Sequence, residues 1–382
     1  MSLPYWTACM AGKRAPRVLM TADTVGGVWT YAVELARELD ARGVQVAIAT
    51  MGAPVSAHQR EELAGTRRVT LHESTYRLEW MQESEADVQE AGDWLLALER
   101  KLRPDLVHLN QYAFGALPFV APTLMVAHSC VLSWWRAVHG VAAPGEWNAY
   151  RKLVRAGLAG AGLVAAPTRA MLDSLAANYG YGRGGLVLGN AANPDLFTPA
   201  RKQPVVLAAG RFWDAAKNLA ALEQVAPTLD WPVHVAGAYK QPDGGTVVPA
   251  GVHCLGELPR EELAQHLASA AIYALPARYE PFGLSVLEAA LSGCALVLGD
   301  IASLREIWGD AALYVAPDDH AALRETLARL IAQPALRARL ARAALARAEH
   351  FTPGRKCDAY LAAYASLHPR FAGTRVEEPA CA

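Results

Sequence analysis

The chain has 382 residues, 53% of them hydrophobic and 19% charged, with a formal net charge of −1. That length exceeds what one hydrophobic core supports and predicts two domains. The near-neutral balance supplies no basic field for gripping a nucleic-acid backbone, so no nucleic-acid partner is expected.

The six cysteines never form a Cys-x-x-Cys pair, which argues against a zinc knuckle or a disulfide framework and for a reducing, cytoplasmic setting. Residues 1–13 contain no apolar stretch of signal-peptide length, and no run approaches the roughly 18 apolar residues of a membrane span. A soluble protein is expected, with peripheral contact the only membrane association left open.

From Arg17 to about Leu188, short apolar runs alternate with helical patterns. Strands are predicted at 18–20, 45–49, 69–72, 106–109, 123–127 and 163–166, and helices at 31–41, 86–102, 147–158 and 169–178. This alternation predicts a parallel sheet covered on both faces. The glycine-rich stretch 179–185 breaks the pattern, and a hinge is placed at 190–204. Strands then resume at 205–209, 233–236, 252–254, 272–275 and 295–298.

Residues 319–350 are rich in Ala, Arg and Leu, and Pro334 splits them into two helices whose arginine face reads as solvated surface. A helix over 354–367 closes the chain. Two doubly wound α/β units in tandem result, 1–190 and 191–353, and their facing carboxyl edges should form one cleft.

The most informative stretch is Arg278-Tyr279-Glu280-Pro281-Phe282-Gly283-Leu284-Ser285-Val286-Leu287-Glu288. Pro281 stops any preceding helix and Gly283 lets backbone approach a ligand closely. Leu284, Leu287 and Leu291 give the helix that begins there a buried face. Amides at a helix start form a phosphate site, and Glu280 and Glu288 bracket it. A ligand with central phosphates and hydroxyl-rich ends suits this arrangement, as a sugar nucleotide does. The competing reading is an ordinary strand-loop-helix unit, because the Glu-x7-Glu spacing alone is not specific.

With its Pro-Phe-Gly insert, the segment resembles the signature of the family 4 glycosyltransferases, retaining enzymes of the GT-B fold, in which two Rossmann-like domains face a cleft. The resemblance runs from Val18 to Leu367 and is weakest between His58 and Leu102. It implies an N-terminal acceptor domain and a C-terminal donor domain, with the helix 354–368 crossing back to the first. It implies a nucleotide-sugar donor and a carbohydrate or lipid-linked acceptor. Glu280 would face the sugar hydroxyls and Glu288 the ribose hydroxyls, with Gly283, Leu284 and Ser285 in the donor site.

Gly210-Arg211 with Lys217 resembles the family's Gly-Arg loop, whose cations bind the donor diphosphate; a planar fork and a compact charge suit an anion that gains charge as the glycosidic bond breaks. His128, after the strand 123–127, aligns with the family histidine that contacts the transferred sugar, while a locally satisfied buried histidine is the competing reading. His108 stands between the same two readings. Gly26-Gly27 resembles the double-glycine loop on the acceptor side of the cleft.

The Asp-x-Asp metal motif of GT-A enzymes is absent, so no metal and no cofactor are expected. The hinge stretch Gly189-Asn190-Ala191-Ala192-Asn193 departs from the family pattern, and Ser303-Leu304-Arg305-Glu306 lacks the family's glycines and receives no role. The cluster Trp134-Trp135-Arg136 with Trp147, Arg151, Lys152 and Arg155 reads as an acceptor groove, a membrane contact or plain core packing. The alternatives to a glycosyltransferase are a GT-B sugar-nucleotide epimerase or phosphorylase, or a non-catalytic GT-B binding protein.

Overall fold

The computed structural model describes residues 14–240 and 244–374; the expectation for residues 1–13 lies outside them. The first sheet has seven parallel strands, β1 (Arg17–Asp23), β2 (Gln45–Met51), β3 (Val69–Glu73), β4 (Leu106–Leu109), β5 (Thr123–Val126), β6 (Leu163–Ala166) and β7 (Leu186–Val187). The second has six, β8 (Gln203–Ala209), β9 (Val233–Ala236), β10 (His253–Gly256), β11 (Ala270–Leu275), β12 (Ala295–Gly299) and β13 (Ala312–Val315).

Six helices accompany the first sheet: α1 (Gly27–Ala41), α2 (Ala57–Glu61), α3 (Glu85–Leu102), α4 (Val131–His139), α5 (Asn148–Gly160) and α6 (Arg169–Tyr179). The rest are α7 (Leu219–Val225), α8 (Arg260–Ser269), α9 (Leu284–Leu291), α10 (Ala302–Trp308), α11 (His320–Ala332), α12 (Pro334–Ala348) and α13 (Pro353–Leu367).

Strand orders are β3-β2-β1-β4-β5-β6-β7 and β10-β9-β8-β11-β12-β13. Each order reverses once, between β1 and β4 and between β8 and β11, and ligands of such sheets bind beyond the strand ends at that point. The edge strands β3, β7 and β10 hold no buried residue, but most of the central strands are buried along almost their whole length rather than at alternate residues; β1 is buried from Val18 to Asp23. That is how strands read when helices cover both faces.

Local chemistry sets the helix bounds. In α1, Tyr31, Leu35 and Leu39 repeat at helical spacing and are buried, each worth about 1.5–3 kcal/mol against exposure. Thr168 caps α6 by accepting the Met171 amide, and Gly180 in the left-handed region ends it. Cys357, Tyr360 and Tyr364 of α13 pack with α1, β1 and β2 in the first unit's core. The last helix therefore follows the second sheet in sequence and lies against the first.

The structure adds elements that the sequence pattern does not resolve, α2, α4, β7 and β13 among them. β7 has two residues, β13 lies beyond a turn, and α4 is a helix through the tryptophan pair. Two arginines of α12 are also not mere solvated surface. Arg337 donates to the Leu330 and Ile331 carbonyls, and Arg347 to the Ile307 carbonyl at 2.7 Å.

Candidate active site

In the second unit, β8 ends at Ala209 and the chain turns through Gly210 and Arg211. Tyr273 Oη of β11 accepts from the Ala209 amide at 3.3 Å and lies 2.8 Å from Ser285 Oγ. That hydroxyl ties the end of β8 to the first turn of α9. Asp214 caps the next turn by accepting the Ala216 amide, and Asn218 donates to the Pro276 and Pro317 carbonyls at 2.9 and 2.7 Å. Lys217 is thereby fixed to point across at Glu280, with which it forms a largely buried ion pair.

Burial pushes the Glu280 carboxyl up. The Lys217 ammonium, the Phe282 amide and the Arg211 guanidinium outweigh it and hold the group below the usual carboxylate range. Ser303 Oγ donates to the Glu280 carbonyl at 2.5 Å, so the glycine-poor segment that received no role fixes this loop from behind.

Gly283 opens α9 at φ 91°, and a side-chain carbon there would lie 3.3 Å from Glu280 Cγ and 3.0 Å from Val286 Cγ2. Only glycine accommodates both the conformation and the crowding. The Val286 and Leu287 amides bond to the Gly283 carbonyl, while the Leu284 and Ser285 amides have no acceptor among the described residues. Inside α9, Glu288 is 8% exposed and faces Arg260 at 3.7 Å. Burial lifts its carboxyl to about 7, against the pull of Arg260 and with Glu34 adding to the rise.

The first unit meets these groups directly. Gly26, at φ 96°, lies under the Arg211 guanidinium, and a side-chain carbon at Gly26 would overlap Arg211 Nη1. A side-chain carbon at Gly27 would be 3.8 Å from Leu284 Cδ1. The double glycine therefore lets the two units close on each other, with its backbone against Arg211 and Leu284. His128 hydrogen-bonds through Nε2 to Asn110 Oδ1 at 2.7 Å, and Asn110 Nδ2 donates to the Thr21 carbonyl at 2.6 Å.

Since that oxygen can only accept, His128 carries its proton on Nε2 and leaves Nδ1 as an acceptor. Burial, with Lys356 nearby, lowers its pKa to about 3 and keeps it neutral. His108 is different. It is fully buried between Tyr31 Oη at 3.2 Å and Tyr364 Oη at 2.6 Å, a core histidine that joins the sheet to α13.

Several cross-unit bonds went unread in the sequence. The Cys130 amide donates to Tyr279 Oη at 3.1 Å and Thr168 Oγ1 to the Pro281 carbonyl at 3.1 Å. Glu306 accepts the Arg169 and Ala170 amides at 2.7 and 2.9 Å, capping α6 from the other unit. Trp134 Nε1 donates to Asp214 Oδ1 at 2.7 Å. The tryptophan cluster thus touches the loop that carries Arg211 and Lys217. No helix among the described residues is long and apolar enough to cross a membrane.

Comparison with known proteins matches both units. Residues 25–188 fit the model described as Glycosyltransferase Family 4, and residues 203–333 fit that described as Glycosyl transferases group 1. Over 68 residues the chain is 40% identical to O-antigen chain mannosyltransferase B of Escherichia coli, a match covering 18% of each chain. Such matches span about a fifth of the curated relatives' length.

Among solved structures, sucrose-phosphate synthase of Thermosynechococcus elongatus superposes with a TM-score of 0.75 at 19% identity, covering 93% of this chain and 99% of that one. An Anabaena protein solved with UDP-glucose gives 0.68 at 15%, covering 92% and 100%. With two units matched by glycosyltransferase models and a two-sheet architecture shared with such enzymes, the chain belongs to the family 4 glycosyltransferases and has the GT-B fold.

Proposed function

We propose that the protein transfers a sugar from a nucleoside-diphosphate sugar to an acceptor hydroxyl, with retention of anomeric configuration and without a metal ion. The observation that carries this reading is the convergence of Arg211, Lys217 and the unpartnered Leu284 and Ser285 amides beside Glu280, at the point where Gly26 admits the guanidinium. Two cations and a helix start at one place form a diphosphate cradle.

In this reading the diphosphate lies on Arg211, Lys217 and the opening amides of α9, whose Gly283 gives it room. Glu280 and His128 Nδ1 accept hydrogen bonds from hydroxyls of the transferred sugar, and Glu288 accepts from the ribose. The acceptor oxygen attacks C1 from the face that the diphosphate leaves. The C1–O bond breaks with its electron pair on the phosphate oxygen, which takes the acceptor's proton. The cationic cradle supports the growing negative charge, a task that contributes most when groups are held in place beforehand.

Among the described residues the thiols of Cys130, Cys294 and Cys357, which are buried, and of Cys254, which is exposed, are all free, which fits a reducing cytoplasm. The Anabaena neighbour's UDP-glucose supports a donor of this chemical class. Thermal-shift titration with UDP, GDP and ADP should select one nucleotide, since a ligand raises stability by mass action. The matching sugar donor should then turn over at the parental rate in excess chelator, with NMR of the product showing the donor's anomeric configuration. Activity lost to chelator and restored by a divalent ion overturns the metal-free part. An inverted product overturns retention.

A further inference from the structure

Several buried polar side chains packed in the first unit lack a hydrogen-bond partner among the described residues, Glu34, Trp135, Trp147 and Tyr179 among them, and Gln111 is the carboxamide of that set. Gln111 is 5% exposed, and both Nε2 and Oε1 are buried with no hydrogen bond among the described residues. A buried carboxamide left wholly unpaired costs about 1–3 kcal/mol per group, so its presence needs a reason. It lies at the carboxyl end of β4, one residue past Asn110 and just before a short 3-10 turn over Tyr112–Ala116.

Its backbone is extended, φ −125° and ψ 140°, so strand alternation places Gln111 on the face shared by Val107 and Leu109. β1 pairs with β4 in the register Met20 to His108, and continuing it sets Asp23 opposite Gln111. Asp23 follows Leu19 of the same core face at even spacing and is 8% exposed. The two side chains therefore emerge together at the reversal point of the first sheet.

Two further residues shape this edge. Glu79 accepts the Tyr112 and Ala113 amides at 3.0 and 2.6 Å, which fixes the turn that sets the Gln111 backbone. Trp80 lies near enough to Asp23 to favour its charged form, and the Val25 amide donates to the same carboxylate. Among the described residues no first-unit cation acts on Asp23 or bonds to Gln111. Arg77, on the same loop as Glu79, turns away to the Gln82 and Glu83 carbonyls. Arg211, the cation that feels Asp23, belongs to the diphosphate cradle.

We infer that Asp23 and Gln111 form the acceptor subsite and that it takes an uncharged, hydroxyl-rich acceptor, a sugar or polyol without phosphate at the bound end. Asp23 accepts from one hydroxyl and the Gln111 carboxamide donates to and accepts from its neighbours, the pairing that fixes a vicinal diol. A phosphate here would enter a site whose burial already opposes negative charge, lifting the Asp23 and Glu79 carboxyls to about 7, with the Arg211 guanidinium of the other unit as the cation that acts on Asp23. This assignment rests on the proposed transferase reading, and Asp23 and Gln111 act in it as specificity-determining residues that touch the acceptor.

The experiment uses saturation-transfer NMR on nucleotide-loaded protein with methyl α-mannoside, methyl α-glucoside and myo-inositol against mannose 6-phosphate, glucose 6-phosphate and inositol 3-phosphate. The parent should bind neutral probes and ignore phosphorylated ones. Gln111→Leu removes the unpaired carboxamide at similar volume, so it should keep or raise the melting temperature, bind nucleotide as before, and lose neutral-probe affinity on the order of 10-fold. Asp23→Asn should show the same split.

Preference for the phosphorylated probes, no signal from any probe, or undiminished binding in Gln111→Leu overturns the assignment. So does a Gln111→Leu variant that only melts earlier, since the carboxamide then serves a buried water. Nucleotide binding is read separately. A parent that binds nucleotide but fails these tests sinks the acceptor subsite alone, whereas one that binds no nucleotide sinks the transferase reading and this assignment with it.

Discussion

The two edges of the cleft solve the problem of a polar site in opposite ways. On the donor edge the charges are partnered within the second unit: Lys217 with Glu280, and Glu288 with Arg260. On the other edge Glu79 and Asn110 are consumed in building turns, and Gln111 is left with nothing. Paired charges hold one another in position, so an incoming diphosphate finds Lys217 placed and need only displace or share its carboxylate. An unpaired carboxamide gains its first hydrogen bonds when a ligand arrives. On the proposed reading, the donor edge is suited to preorganised electrostatics and the acceptor edge to discrimination between hydroxyl patterns.

The contrast breaks most visibly at the two cations. Replacing Arg211 or Lys217 by Ala should each cost turnover by about 10²–10³-fold, or 2.7–4 kcal/mol, the loss seen when one donor to a developing oxyanion is removed. Stability should separate the two. Lys217→Ala strands the Glu280 carboxylate, whose side chain is 12% exposed, and should lower unfolding free energy by up to roughly 3–5 kcal/mol. Arg211→Ala should leave the melting curve nearly unchanged. Parental kcat in either variant would remove the cradle, and equal melting losses would mean that Arg211 also holds the fold.

This difference also explains what the sequence disclosed. The donor edge is written in contiguous stretches, Gly210 to Lys217 and Tyr279 to Glu288, because one loop and one helix start supply most of it. The order of strands and helices was equally legible, since apolar runs of buried parallel strands stand out between helical patterns. The other edge is assembled from the ends of β1 and β4 and a loop at 79–80, more than 50 residues apart in sequence at their extremes, and no spacing rule joins Asp23 to Gln111.

Ser303 and Glu306 were passed over for a related reason. Their tasks are to brace a carbonyl and cap a helix in the other unit, and nothing local to the sequence marks a partner 137 residues away. His108 lies near the end of a strand as His128 follows one, and the two part ways because Tyr31 and the returning α13, through Tyr364, close on the former. α4 escaped because its tryptophans suggested a surface before they suggested a helix.

Glu288 offers a sharper test of the donor edge through pH. Burial raises its carboxyl from 4.5 to about 7 in the ligand-free protein. A carboxyl raised on folding favours the folded state while it is protonated. That contribution is complete below pH 4.5 and is lost as pH rises through 7. Glu288→Gln lacks this loss, so its unfolding free energy should gain on the parent by about 3 kcal/mol between pH 4.5 and a pH above 7. Taking the difference between the two proteins removes the opposing contribution of neutral His108 and His128. A pH-independent difference would show Glu288 to be charged and fully served by Arg260, and the ribose role would weaken with it.

Gly26 connects the edges, and its expected effect is smaller. Ala there must adopt φ 96° and ψ −155°, a backbone region essentially confined to glycine, at about 1–3 kcal/mol, and displaces the Arg211 guanidinium. Gly26→Ala should therefore slow turnover by roughly 10-fold in the parent background, and by little in Arg211→Ala, where the displaced group is already gone. Additive losses would mean that the glycine serves the helix start and not the arginine.

The smallest effect is expected at the bond between Trp134 Nε1 and Asp214 Oδ1, which exists only while the units are together. Trp134→Phe keeps an aromatic ring and loses one hydrogen bond, worth about 1 kcal/mol at a partly exposed site. That shifts the balance between closed and open forms about 5-fold toward open. Small-angle scattering of the ligand-free protein should then report a larger radius of gyration, and nucleotide should restore the parental value by favouring closure. Asp214→Asn retains the accepting oxygen and its cap on Ala216, so it should scatter like the parent. If Trp134→Phe does so too, ring packing rather than the N–H joins the halves, and closure is governed instead by the Glu306 cap on α6.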